Sequence, residues 1–239
     1  MERVRPARTS RPSIVRGRGF RLKVGAAAIA FACALPGLAS AAARHFEGAG
    51  QSSGLASAPD GPSSLDELLA WVLLTGDNRG QPFVIVDKLG ALAKVFDRTG
   101  ALTGTAPVLL GVAQGDDSPP GIGDRPLADI GPADRITPAG RFTAALGENL
   151  TGKTVLWVDY DAAVSLHPVA TGRPSERRQA RLDSPTPTDN RISYGCINVP
   201  AQFYDTVIEP LFTDSPGIVY VLPETRSLET QFFSQSDTN

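Results

Sequence analysis

From Phe83 onward the chain is a succession of short β-type runs broken by turn residues, and this pattern constrains the fold more than any other feature. "FVIVD" (83–87), "ALAKVFD" (91–97) and "PVLLGVAQ" (107–114) are rich in β-branched residues or alternate in polarity. Turn signals at Leu89-Gly90 and Arg98-Thr99-Gly100 separate them. Residues 115–134 form a Gly/Pro/Asp loop. "ITPAGRFTAAL" (136–146) reads as a turn into a strand, followed by "KTVLWVDY" (153–160), "AVSLHPV" (163–169) and a last strand, "GIVYVLP" (217–223). Pro200 opens a helix with Phe203, Tyr204, Val207, Ile208 and Leu211 on one face. Proline fits there because first-turn donors are unpaired anyway. The pattern predicts a mainly β domain with one helix after residue 200.

The N-terminus has a different composition. Residues 1–23 carry eight Arg/Lys against one acid, and an apolar run follows from Val24 to Leu35, ending in small residues such as Ala39-Ser40-Ala41. A basic region, a short apolar core and an A-x-A end read as a signal peptide over 1–43. The alternative is a membrane anchor, but a spanning helix wants about 20 strongly apolar residues, and Pro36 and Gly37 break this run. Cys33, with Phe31 before it, is a poor lipoprotein pattern. Residues 44–63, rich in Gly, Ser, Ala and Pro, read as a flexible linker. Ser64-Leu65-Asp66-Glu67 is a capping box. It opens a lead-in helix, placed within 64–80, that runs to about Thr75 with Leu65, Leu68, Leu69, Val72 and Leu73 on one side. The β domain then occupies 81–224, and 225–239 reads as a loose polar tail.

Charge and rare residues narrow the function. The chain's net charge is −2, and losing residues 1–23 leaves it near −9. So acidic a chain is not a nucleic-acid binder by electrostatics. Only two cysteines and two histidines occur, and removal of the leader leaves Cys196 alone, with His167 the one histidine inside the β domain. Cys196 then has no internal disulfide partner, and a structural zinc site, which needs about four Cys/His ligands, is excluded. A lone cysteine in an exported protein is either an inert buried residue or a reactive thiol.

A thiol becomes a nucleophile as the thiolate, which needs a nearby imidazole, cation or helix N-terminus. His167, at the end of a β-run, is the only imidazole available. The helix from Pro200 follows Cys196 closely and offers its positive end. Gly195 allows a sharp turn, so amides around 194–196 can point at a developing oxyanion.

With His167 followed by Ser193-Tyr194-Gly195-Cys196-Ile197-Asn198, the sequence resembles the L,D-transpeptidase (YkuD-type) family, whose mark is a histidine, a spacer and Ser/Thr-x-Gly-Cys-x-Asn/Arg. The resemblance extends over about 82–223. "FVIVDKLGALAKVFDRTG" looks like the family's opening hairpin, "PVLLGVAQG" its next strand and "TPAGRF" its Thr-Pro-x-Gly-x-Phe segment. Histidine precedes cysteine, whereas papain-like and NlpC/P60 peptidases have the reverse order, and the caspase signature is absent. Two features depart from the family: Tyr194 stands where histidine is frequent, and 25 residues separate His167 from Ser193. The insert at 172–189 carries four arginines and three prolines, and reads either as a lid over the site or as solvated decoration without a strand or helix pattern.

The resemblance implies a β-sandwich of the L,D-transpeptidase type with a helix after the cysteine. It implies Cys196 as nucleophile, His167 as general base and later acid, and Gly195 with the Cys196 amide as oxyanion hole. Ser193, Tyr194 and Asn198 become supporting or substrate-binding residues. Arg191, two positions before Ser193, is either a partner for a substrate carboxylate or an ordinary solvated arginine. Thr137, Pro138 and Gly140 are structural. The implied activity is an exported, periplasmic and cell-wall-associated cysteine transpeptidase acting on peptidoglycan stem peptides. Its acceptor is another stem, a free D-amino acid or a lysine of a wall-attached protein, and no metal or organic cofactor is implied. The rival readings are an L,D-carboxypeptidase or amidase on the same fold, and a non-catalytic peptidoglycan-binding protein with Cys196 merely buried.

Overall fold

In the computed structural model, which describes residues 63–170 and 172–234, the apolar run at Phe83 lies in the middle of the fold. The expected signal peptide and nearly all of the expected linker lie outside the described residues. Helix α1 (Ser64–Thr75) comes first. Its cap is Ser63 rather than the expected Ser64, because the Ser63 Oγ accepts the Asp66 N–H at 3.2 Å. Leu65, Leu68 and Val72, three and four apart, are buried, while Leu73 is exposed, and Gly76 ends the helix in the left-handed conformation.

Strands β1 (Phe83–Asp87), β2 (Leu92–Phe96) and β3 (Leu102–Pro107) form an antiparallel meander, followed by the short β4 (Leu110–Gly111). A second meander comprises β5 (Gly140–Glu148), β6 (Thr154–Asp159) and β7 (Val164–Pro168). Next come α2 (Arg178–Leu182), β8 (Arg191–Ser193), β9 (Ile197–Val199), α3 (Ala201–Phe203), α4 (Glu209–Phe212) and β10 (Gly217–Val221). The main sheet has eight strands in the order β3-β2-β1-β10-β5-β6-β7-β9, and β4 pairs with β8 in a small parallel ribbon. The fold is mainly β, as the pattern of short runs predicts.

Strands β1 and β10 are buried on both faces, which is what a continuous apolar run is suited to. Val84, Val86, Val219 and Val221 join Leu156, Leu166, Ile197, Val199 and the helix residues Tyr204, Ile208 and Phe212 in one core. Phe83, Ile85, Ile218 and Tyr220 pack instead on α1 and Phe232. Because residues of β1 and of the β6–β9 end share a core, the sheet curls toward a sandwich. Between α3 and α4 the helix widens into a π turn, Tyr204–Ile208, where the Glu209 N–H bonds the Tyr204 carbonyl. Pro210 is the cause: it has no N–H for the Thr206 carbonyl, and its ring crowds that turn.

Three expectations need correction. "PVLLGVAQ" is not one strand. Beyond Pro107 the backbone leaves the β2 ladder, and its hydrogen bonds go to Ala91, Asn198 and Ser193 in turn. The segment after Glu224 is not loose through Ser234: Thr225 bonds Asp116, and Phe232 is buried against α1's face of the sheet. The 172–189 insert is not patternless either, since it carries α2 and two 3-10 turns, and Leu182 is buried.

A buried ionic group ties these loops together. The Lys88 ammonium, fully enclosed, donates to Asp116 Oδ1 at 2.7 Å, to the Gly115 carbonyl at 2.6 Å and to the Thr137 carbonyl at 3.1 Å. Glu224 Oε1 lies 3.4 Å from it and also receives Arg191. Burial raises the Asp116 carboxyl, but the hydrogen bonds of Lys88, Thr225 and the Glu224 amide outweigh it and hold its pKa far below the ordinary aspartate value. Lys88→Met removes the buried cation from Asp116, which keeps only the partly exposed Arg226 at 3.5 Å, while Glu224 keeps Arg191. Breaking this buried pair is expected to cost about 3–5 kcal/mol in urea denaturation. The depressed Asp116 pKa makes its contribution complete above the unfolded value of about 3.9. That contribution fades as pH falls below it, so the acid arm of the stability curve flattens in Lys88→Met.

Candidate active site around Cys196

Strands β7 and β9 run parallel in the register Leu166↔Ile197, His167↔Asn198 and Pro168↔Val199. Side chains alternate between faces along a strand, so this register sorts the residues into two sets. Leu166, Ile197 and Val199 enter the core. His167 and Asn198 face the other way together, with Asn198 Nδ2 3.0 Å from His167 Nε2. Ser165 and Cys196, each two residues earlier, join them, and Ser165 Oγ lies 3.8 Å from the thiol. Four polar side chains thus meet on one face of two strands.

Within this set the histidine is fixed at both nitrogens. Nδ1 is 2.8 Å from the Pro168 carbonyl, an acceptor, so Nδ1 carries the hydrogen. Nε2 therefore carries the ring's lone pair, which faces the Asn198 amide. Burial pushes the Cys196 thiol up, but the neighbouring His167 imidazole, aided by Ser165, outweighs it and brings its pKa below the ordinary value. Burial pulls the imidazole down, and the neighbouring Cys196 outweighs that, leaving His167 above its ordinary value. The two groups favour each other's charged forms, the condition for an activated thiol. The expected help from a helix end is absent, because β9 separates Cys196 from α3 by roughly 10 Å of strand and a helix end acts only within about one turn.

The turn that presents the thiol is held from inside. The Ser193 hydroxyl donates to the Cys196 carbonyl at 2.6 Å and accepts the Gly195 N–H at 3.1 Å. Gly195 has φ +129, and a Cβ there would lie 2.7 Å from the Ile136 carbonyl, so only glycine fits. Its N–H is taken by Ser193, which leaves the Cys196 N–H as the amide next to sulfur and corrects the expectation that Gly195 itself supplies a donor. Buried Thr137 accepts the Gly111 N–H at 2.9 Å and donates to the Gly195 carbonyl at 2.8 Å, so it locks the turn to β4.

The other expected residues separate. Tyr194 is exposed, and its ring lies under the Arg135 guanidinium, 3.8 Å away, in a cation–π contact. The Arg191 guanidinium is taken up within the protein by Glu224, the Lys88 carbonyl and the Gly111 carbonyl. Ser165 and the insert's Arg178, which donates to Asn198 Oδ1 at 2.8 Å, were not expected. The two-residue spacing from Ser165 to His167 was the available signal for the first. The sulfur lies 3.7 Å from the Ala163 carbonyl, and a cleft of about 330 Å³ lined by Pro119, Pro138, Phe142 and Asp159 reaches the preceding residue, Ala162, though none of the four site side chains lines it. Among the described residues no cluster of three or more His, Cys, Asp or Glu is arranged for a metal, and no helix is long and apolar enough to cross a membrane.

No family model matches the chain, and no curated protein does. Solved structures do, and many of them are L,D-transpeptidases. The helical cell shape determining protein Pgp2 from Campylobacter jejuni is 14% identical, covering 61% of this chain and 49% of its own, with a TM-score of 0.40. Mycobacterium tuberculosis L,D-transpeptidase 1 is 15% identical, covering 59% and 61%, with a TM-score of 0.32. The catalytic domain of the E. faecium L,D-transpeptidase is 18% identical, covering 60% of this chain and 98% of its own, with a TM-score of 0.30. The chain spans about half to three-fifths of the length of the first two.

Thr137→Val keeps the volume of the side chain and deletes the hydroxyl that satisfies two buried backbone groups. The expected loss is about 1–3 kcal/mol by denaturation, accompanied by slower alkylation of Cys196 as the turn loosens.

Proposed function

We propose that this chain is an exported cysteine L,D-transpeptidase acting on peptidoglycan stem peptides. The observation that carries the reading is the thiol–imidazole pair on one face of β7 and β9, each group shifting the other toward its charged form. The His167 and Ser193-Tyr194-Gly195-Cys196-Ile197-Asn198 pattern supplies the substrate class, and the basic-apolar N-terminus supplies the export.

In this reading a stem peptide lies in the cleft along Ala162 with its scissile carbonyl over Cys196. His167 Nε2 takes the thiol proton as sulfur bonds to the carbonyl carbon. The Cys196 N–H faces the oxyanion that forms. The C–N bond to the terminal D-residue breaks, and the imidazolium returns its proton to the leaving amine, giving a thioester. An acceptor amine then attacks the thioester and loses its proton to His167. Collapse expels the thiolate, which recovers the proton from His167, and leaves a new amide bond. Asn198 and Ser165 orient the imidazole and the sulfur, and no step calls for a metal or an organic cofactor.

Three measurements test this. Cys196→Ala is expected to melt like the wild type and to make no product from purified stem-bearing muropeptides; undiminished turnover would overturn the nucleophile assignment. Mass analysis of the wild-type products is expected to show joined or amine-exchanged stems, and products trimmed only by water would replace transfer with carboxypeptidase activity. His167→Ala is expected to slow acylation about 10²–10⁴-fold, as loss of a general base does. It also moves the pH midpoint of Cys196 alkylation upward, since the imidazole is what brings the thiol pKa down.

A further inference from the structure

The insert between His167 and Ser193 reaches the site through one arginine. Arg178 donates its Nη1 to Asn198 Oδ1 at 2.8 Å and its Nε to Glu176 Oε2 at 2.6 Å. The pair packs against Gly172, where a Cβ would lie 2.6 Å from Glu176 Oε2 and 2.9 Å from Arg178 Nε. Asn198 is 1% exposed, so its amide cannot turn to water instead. Arginine can only donate, so the amide atom facing it is the oxygen. The atom facing His167 is then the NH2 group, a donor, and a donor opposite Nε2 requires a lone pair there. Nδ1, opposite the Pro168 carbonyl, carries the hydrogen.

We infer that Glu176 and Arg178 of the insert are positioning residues that fix the amide of Asn198 and, through it, hold His167 as a neutral base with its lone pair on Nε2. The inference rests on the proposed roles of Cys196 and His167. With the amide locked, an imidazolium finds the Asn198 NH2 opposite its new Nε2–H, donor against donor. The proton taken from sulfur is thus poorly held and passes readily to the leaving amine. If Arg178 releases the amide, Asn198 rotates and offers Oδ1 to Nε2–H, and the imidazolium–thiolate pair becomes the resting state. The charged and titratable groups acting on His167 are Cys196 at the start of β9 and Arg178 of α2, whose positive charge also lowers the imidazole. Glu176 stands behind Arg178.

The test uses the full chain, with Cys196 alkylation by iodoacetamide followed by peptide mass mapping so that Cys33 is counted separately. In Arg178→Met the pH midpoint of Cys196 is expected to fall by about half a unit, roughly threefold faster labelling below the wild-type midpoint, while muropeptide turnover drops. Glu176→Gln moves both in the same direction and less far. Arg178→Lys, which keeps a donor for Oδ1, stays near the wild type. In Asn198→Ala, adding Arg178→Met is expected to leave only the smaller shift due to loss of the Arg178 charge. An unchanged or raised midpoint in Arg178→Met overturns the inference, as does a shift that persists in full without Asn198, because Arg178 would then act by charge alone. Ring-nitrogen NMR of wild-type His167 is expected to show hydrogen on Nδ1 and none on Nε2, and the opposite tautomer overturns it too. A His167→Ala chain that labels like the wild type removes the proposed base instead, and this inference with it.

Discussion

The parallel pairing of β7 with β9 is the constraint on which the rest of the site depends. One register, Leu166 opposite Ile197, sends three apolar side chains into the core and brings four polar ones together outside it. A slip of one residue would bury His167 or Asn198 and expose Leu166, so hydrophobic burial and site assembly select the same alignment. Stability and chemistry are coupled here by the two-residue period of a strand rather than by any special contact.

The frame that holds this pair is unusually polar for an interior. Lys88, Asp116, Glu224 and Arg191 come from the end of β1, the loop after β4, the segment after β10, and β8. Each is costly to bury alone, and together they pair with little net charge. Thr137 does similar work with a single hydroxyl, satisfying β4 and the Cys196 turn at once. These polar links join segments far apart in the chain, which is why the Cys196 turn sits at a fixed height over β7.

Much of the outline was legible in the chain. The strands at 83–87, 154–159 and 217–221 announce themselves by β-branched runs, and His167 and Cys196 by being nearly unique. The illegible parts fail for identifiable reasons. Strands β8 and β9 are three residues each, too short for a period to show. Arg191 looked free because its partner, Glu224, is distant in sequence. The insert reads as a lid or as solvated decoration because a single apolar anchor, Leu182, makes no pattern, and it is its Arg178 that meets Asn198.

By itself the sequence determined the class of fold, through the spacing of its apolar runs, and the chemistry within reach, through one thiol and one imidazole in the β domain. Only the tertiary structure decided which residues surround them. Ser165, Asn198, Arg178 and Thr137 owe their places to strand register, a buried hydroxyl and a guanidinium–amide hydrogen bond, which act between residues 20 or more positions apart. Local periodicity records which face of an element is apolar; it carries no information on which neighbour that face or its opposite will meet.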